Sequence, residues 1–247
     1  MFTIADDKKI RAMFIKSNLS IHGRECIVYA GDSTQFLLIQ PVDQHDLDVL
    51  DTEIQHIEAL SAVPFALAAF RVTDWNQDLS PWEAPPIFGK DGFGNGAANT
   101  LKLIQTSLLP ELKKTYALRE NIPVILGGYS LAGFFALWSA YKIDTFSAVA
   151  CASPSVWFPG WIGYAETRTP RCEAVYLSLG NREEKARNPV MGSVGECIRR
   201  QDVLLAQTIP AENHTLEWNA GNHFQEPDLR TAKAFAWCMK ALNGHKQ

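Results

Sequence analysis

One stretch limits the folds open to this chain more than any other: residues 123–141, PVILGGYSLAGFFALWSAY. Val124-Ile125-Leu126 is a short apolar run rich in β-branched residues, the pattern of a strand buried on both faces. The chain turns through Gly127-Gly128-Tyr129-Ser130 and enters residues 131–141, apolar or small on almost every side, which read as a buried helix. Ala132, Ala136 and Ala140 recur every four residues, a stripe small enough to lie close on a sheet. A serine at so sharp a strand-to-helix turn has the form of a nucleophile elbow, its hydroxyl held clear of its own backbone at the carboxyl edge of a sheet. That turn admits only small residues two positions before and after the serine, and Gly128 and Ala132 hold those places. Ser130 is therefore the candidate nucleophile. The competing explanation, an ordinary βα turn with a capping serine, accounts for the turn but not for the buried strand and helix that arrive with it.

The rest of the chain repeats the same rhythm. Residues 10–29 form a hairpin or long bent strand around His22-Gly23, residues 36–41 and 64–72 are strands, and residues 45–60 form a helix whose apolar stripe is Leu47, Leu50, Ile54, Ile57 and Leu60, with acids opposite. A long Trp-, Pro- and Gly-rich segment, residues 73–96, has the length of a functional loop. Residues 99–118 read as a helix interrupted near Pro110, residues 146–152, 174–179 and 215–218 as strands, and residues 190–207 and 227–242 as helices. Alternation of this kind predicts one α/β domain over residues 1–247 with a mostly parallel central sheet covered on both faces. Ligands bind such sheets at the carboxyl ends of the strands. Ser130, the Trp75 loop, the Ser153 loop, the Arg182 loop and His223 all fall there.

Composition narrows the chemistry. A net charge of −4 with no run of like charge gives no electrostatic support to a nucleic-acid or anionic-membrane partner. The five cysteines are widely spaced with no C-x-x-C pair, so free thiols are expected rather than a disulfide framework or a zinc site. Asp6-Asp7-Lys8-Lys9 stands where a secretory leader needs apolar residues, and no stretch reaches membrane-spanning length. The expected location is the cytoplasm.

A serine hydroxyl needs a base to take its proton and a third group to orient that base. Among six histidines, His223 follows a strand, sits in a glycine-containing loop and precedes a helix, whereas His214 lies at the opposite edge of the sheet. The acid should follow the strand that ends at Gly180, where GNREEK supplies both Glu183 and Glu184. Glu183 has the shorter reach to the sheet edge and is preferred; Asp202 and Asp228 are next in line. Serine, acid, histidine is the chain order of α/β-hydrolases.

GGYSLAGFFALW, DWNQDLSPW, ASPSVWF and GNHFQEP, in this order, resemble the esterase family of α/β-hydrolases that includes esterase D-like and enterochelin-esterase-like enzymes. The resemblance runs from about residue 65 to the end and implies a single α/β-hydrolase domain acting as a serine carboxylester hydrolase on a small-molecule ester, without metal or organic cofactor. It implies oxyanion donors at the amide of Leu131 and at an amide of the loop after the third strand, placed at Asp74-Trp75-Asn76 with Trp75 as donor. Ala132 departs from the family's commoner glycine. Trp82, Trp157 and Phe158 are candidates for the substrate pocket, or else anchors for their loops. An acyltransferase needs the same serine, histidine and acid, and a non-catalytic binding protein can occupy the same scaffold. The sequence names neither the acyl nor the alcohol group and leaves the oligomeric state open.

Overall fold

The structure, a computed structural model, describes residues 14–87 and 89–244. Strands β1 (Ile15–Ile21) and β2 (Arg24–Ala30) form the first hairpin, closed by the tight turn His22-Gly23, in which both residues have positive φ. The expected strand content of residues 10–13 lies outside the described residues. Strand β3 (Phe36–Val42) is followed by helix α1 (Gln44–Leu60), which opens on a reciprocal cap between Asp43 and Asp46. Strand β4 (Phe65–Arg71) leads through the short helix α2 (Trp75–Asp78) and the long loop to helix α3 (Ala97–Leu103).

The helix expected over residues 99–118 is three segments: α3, a π-turn at Ile104–Leu108, and α4 (Leu109–Thr115). Pro110 has no N–H to return to the carbonyl of Thr106, so the ladder widens by one residue before it. Strand β5 (Val124–Tyr129) and helix α5 (Ser130–Lys142) form the elbow unit. Strand β6 (Ala148–Ala152), helix α6 (Trp161–Ala165) and strand β7 (Ala174–Gly180) follow. A single helix was expected over residues 190–207; it is broken at Ser193 into α7 (Pro189–Gly192) and α8 (Val194–Leu205). Strand β8 (His214–Asn219) and helix α9 (Pro227–Gly244) complete the chain.

The eight strands lie in the order β1-β2-β4-β3-β5-β6-β7-β8. Strand β2 runs antiparallel to both its neighbours, and every other pairing is parallel. Alternate residues of each strand feed two separate cores, as the period of two requires. Leu37 and Ile39 of β3 join the core under α3, α4, α5, α6 and α8, while Phe36 and Leu38 join the core under α1 and α9. This is the single-domain α/β-hydrolase fold that the alternation and the resemblance predict. Its parallel strands deliver their loops to one edge, with β5 at the centre.

Candidate active site

Helix α5 starts directly on Ser130, which is held at φ 56°, a left-handed conformation that an ordinary residue adopts only under constraint. The constraint is the crowding of the turn. A Cβ on Gly128 would lie 2.7 Å from the Cβ of Ala132, so alanine at one position obliges glycine at the other. On Gly133 a Cβ would lie 2.8 Å from the carbonyl oxygen of Gly128, which closes the turn from its other side. Ala132 in place of the commoner glycine is therefore accommodated by its partner.

Ser130 Oγ lies 3.0 Å from His223 Nε2, and His223 Nδ1 lies 2.7 Å from Glu183 Oε2. A carboxylate only accepts, so Nδ1 carries the proton of the second contact and Nε2 is left to accept from the serine hydroxyl. Glu183 is 5 % exposed in its side chain and sits in a short 3-10 turn, Glu183–Lys185. Its other oxygen, Oε1, accepts from the Gly180 amide at 2.7 Å, from Ser153 Oγ at 2.8 Å and from Arg230 Nη1 at 3.2 Å. Gly180 has to be glycine here, because a Cβ would meet the Gly221 carbonyl at 2.5 Å and Glu183 Oε1 at 2.8 Å. Glu184 points the other way and pairs with Arg199 at 3.0 Å. Asp228 lies 3.6 Å from His56, and His214 Nδ1 lies 3.1 Å from the Pro210 carbonyl at the amino end of β8.

Four residues at this site went unassigned in the sequence. Ser155 Oγ is 3.4 Å from Ser130 Oγ, and its amide donates to the Ser130 carbonyl at 3.1 Å. Ser153, at φ 41°, donates to Glu183 as above. Tyr129 donates its phenol proton to the His223 carbonyl at 2.8 Å; burial, the leading cause, pushes that phenol up to about 12, so it stays a donor across the neutral range. Arg230 is buried behind Glu183. The serines were visible as part of ASPSVWF, but a lone arginine in an amphipathic helix carries no sequence signal of burial.

Leu131 lies in the first turn of α5, where amides have no intrahelical acceptor. The placement of Trp75 needs correction. The Asp74-Trp75-Asn76 loop follows β4, not the third strand, and β3 separates β4 from β5. The turn after β3 is Asp43-Gln44, one strand nearer to Ser130.

A cleft of about 840 Å³ is lined by Asp74, Trp75, Gln77, Glu83, Asp91 and Phe93, among others. Trp82 and Phe158 do not line it, and neither do Ser130, Glu183 and His223. Phe158 is buried between Phe134 and Phe93, with ring centroids 5.0 and 5.1 Å away, and the indole of Trp82 donates to the Pro159 carbonyl at 2.8 Å. Their large apolar faces are used to anchor the loop after β6. Trp157, half-buried, meets Phe93 at 6.0 Å but does not line the cleft. Phe93 thus connects the cleft wall to the segment that carries Ser155. Phe224, 84 % exposed, stands beside the His223 ring with centroids 5.6 Å apart.

Among the described residues no group of three or more His, Cys, Asp or Glu is disposed to hold a metal ion, and no helix is long and apolar enough to cross a membrane. All five cysteines are free.

No family model matches the sequence. No curated protein matches it. Solved structures do match. An IroE-like serine hydrolase from Shewanella oneidensis is similar with a TM-score of 0.69 at 15% identity, over 95% of this chain and 80% of that one. The siderophore hydrolase EstA from Aspergillus nidulans gives 0.66 at 16% identity, over 98% of both chains. The enterobactin esterase FES from Shigella flexneri gives 0.65 at 12% identity, over 94% of this chain and 60% of that one. At such identities the likeness is one of fold, and the fold it shares with these serine hydrolases and esterases is that of the α/β-hydrolases.

Proposed function

We propose that the protein is a serine carboxylester hydrolase that works through an acyl-serine intermediate, with Ser130 as nucleophile, His223 as base and Glu183 as the orienting acid. The observation that carries this reading is the unbroken hydrogen-bond line from Ser130 Oγ through His223 to Glu183, at 3.0 and 2.7 Å, with the serine in a left-handed elbow. In the first step Ser130 Oγ attacks the ester carbonyl carbon as its proton passes to His223 Nε2. The oxygen that takes up the charge accepts from the Leu131 amide at the start of α5. The turn after β3 is the nearer source of a second donor. The Asp43 amide is committed to Asp46 Oδ2 at 3.1 Å, which leaves that of Gln44.

Collapse of the tetrahedral intermediate breaks the C–O bond to the alcohol, which leaves with the proton held on His223. Water then attacks the acyl-serine by the same route in reverse. Glu183 holds the Nδ1 proton throughout and stabilises the imidazolium. The fold likeness to siderophore and enterobactin hydrolases supports a small-molecule ester as substrate. This reading places the substrate in the cleft walled by the loop after β4, which has Asp74, Glu83 and Asp91 in its lining and no lysine or arginine, while Lys90 is exposed and outside it. A lining of this sign favours neutral or cationic esters over anionic ones.

Steady-state hydrolysis of a neutral short-chain ester and of its carboxylate-bearing analogue tests the reading. The wild type should turn over the neutral ester faster, and Ser130→Ala should lose about 10⁴-fold or more in kcat. Undiminished turnover by Ser130→Ala would refute the nucleophile, and a preference for the anionic ester would refute the role of the cleft.

A further inference from the structure

Among the described residues Arg230 is the largest charged side chain sealed inside the molecule. Its side chain is 1 % exposed. It lies on α9, one turn after the helix begins, and its guanidinium reaches four separate segments. Nη1 donates to Glu183 Oε1 at 3.2 Å, to Tyr129 Oη at 3.0 Å and, at 3.4 Å, to Ser153 Oγ. Nη2 donates to the Ala220 carbonyl at 2.8 Å. Tyr129 Oη, having accepted from Arg230, passes its own proton to the carbonyl of His223 at 2.8 Å. One rigid fork is thereby tied to the acid, to the last residue before the elbow serine, to the loop after β6 and to both sides of the histidine loop.

Stability alone does not account for this arrangement. A buried ion pair is about neutral against an apolar replacement of similar volume, and here Nε is left with no partner among the described residues. The geometry serves placement instead. Arg230 holds Glu183 through the oxygen that does not face His223, leaving Oε2 aimed at Nδ1. Through Tyr129 and Ala220 it fixes the backbone from which the imidazole projects. The planar guanidinium can make these bonds in several directions at once, which an ammonium cannot.

We propose that Arg230 is a positioning residue for the proposed Ser130–His223–Glu183 array, setting the Glu183 carboxylate and the His223 backbone in register. The inference rests on that reading of the site, and a double-mutant cycle separates the two. In the full-length enzyme, Glu183→Gln should lose activity by orders of magnitude. Arg230→Met should lower kcat by about 10²-fold with KM changed less than about threefold, the scale of a misplaced catalytic geometry. Added to Glu183→Gln, the same change should cost several-fold less than it does alone, because one of the two groups it positions has gone. The low-field proton resonance of His223 Nδ1–H should be present in the wild type and lost in Arg230→Met.

Where Arg230→Met does not fold, Arg230→Lys and Tyr129→Phe take its place. Lysine should restore only part of the rate. Phenylalanine severs the link to the His223 carbonyl and should lower kcat about tenfold, with the unfolding midpoint held. Wild-type kcat in the Arg230 and Tyr129 variants, or an equal loss from Arg230→Met with and without Glu183→Gln, would overturn the inference. Wild-type turnover by Glu183→Gln would overturn the triad itself, and the role of Arg230 with it.

Discussion

Glu183 and Glu184 are neighbours in sequence, and the 3-10 turn that carries them sends one carboxylate in toward Gly180, Ser153 and Arg230 and the other out to Arg199. Reach from Gly180 favours Glu183 in the sequence, and it is Glu183 that lies against His223. Nothing in GNREEK says what receives its second oxygen. Those partners come from Ser153, 30 residues before it, and Arg230, 47 residues after it. Long-range partners of this kind have no local pattern to betray them, so the line from Ser130 to Glu183 was legible while its support was not. Glu184→Gln should change kcat less than about threefold, as a partly exposed ion pair directed away from His223 contributes little, against a loss of orders of magnitude for Glu183→Gln. Ester turnover of the two variants side by side checks this. A reversed pair of effects would move the acid to Glu184.

Among the elements, helix α1 shows how a period can be right and a residue on it misread. Leu50, Ile54 and Ile57 face the sheet as the spacing predicts. Glu53, expected on the solvent face with the other acids, is 2 % exposed and receives Gln40 Nε2 at 3.4 Å. It follows Leu50 by three residues and so falls on the same stripe. Burial, ahead of the charges of Asp46 and Asp228, pushes its carboxyl well above the usual carboxylate range, against the lowering effect of Gln40. A raised folded-state value means that the folded protein binds this proton more tightly than the unfolded chain. Stability from Glu53 is then present at acid pH and is lost as pH rises through the folded value. Glu53→Gln, which has no proton to lose, should match the wild type near pH 4 and exceed it on the alkaline side, by about 1 kcal/mol or more. Urea midpoints across that range measure it. A variant less stable than wild type at alkaline pH would show that the charged form is well accommodated. The breaks at Pro110 and Ser193 belong to the same scale. Pro110 announces its break by its missing donor, whereas the break between α7 and α8 falls in a run of helical spacing with no proline inside it.

For the whole molecule, parallel strands gather the elbow, the acid loop, the histidine loop and the cleft at one edge of the sheet. Strand order was legible only in outline. Alternation predicts a parallel sheet but not which strand lies beside β5, so it does not distinguish the loop after β3 from the loop after β4. Trp82 and Phe158 stay open between two roles in the sequence, because an aromatic residue that anchors a loop and one that lines a cleft look alike there, and the structure shows their packing against the loop after β6. The proposed function comes down to one property, a serine made nucleophilic by its neighbours. Incubation with a fluorophosphonate, followed by peptide mass spectrometry, reads that property without knowledge of the substrate. The wild type should carry a single phosphonyl adduct on Ser130, Ser130→Ala none, and His223→Ala an adduct that forms more slowly by orders of magnitude. An unlabelled wild type, or an adduct placed on Ser153 or Ser155 instead, would contradict the account.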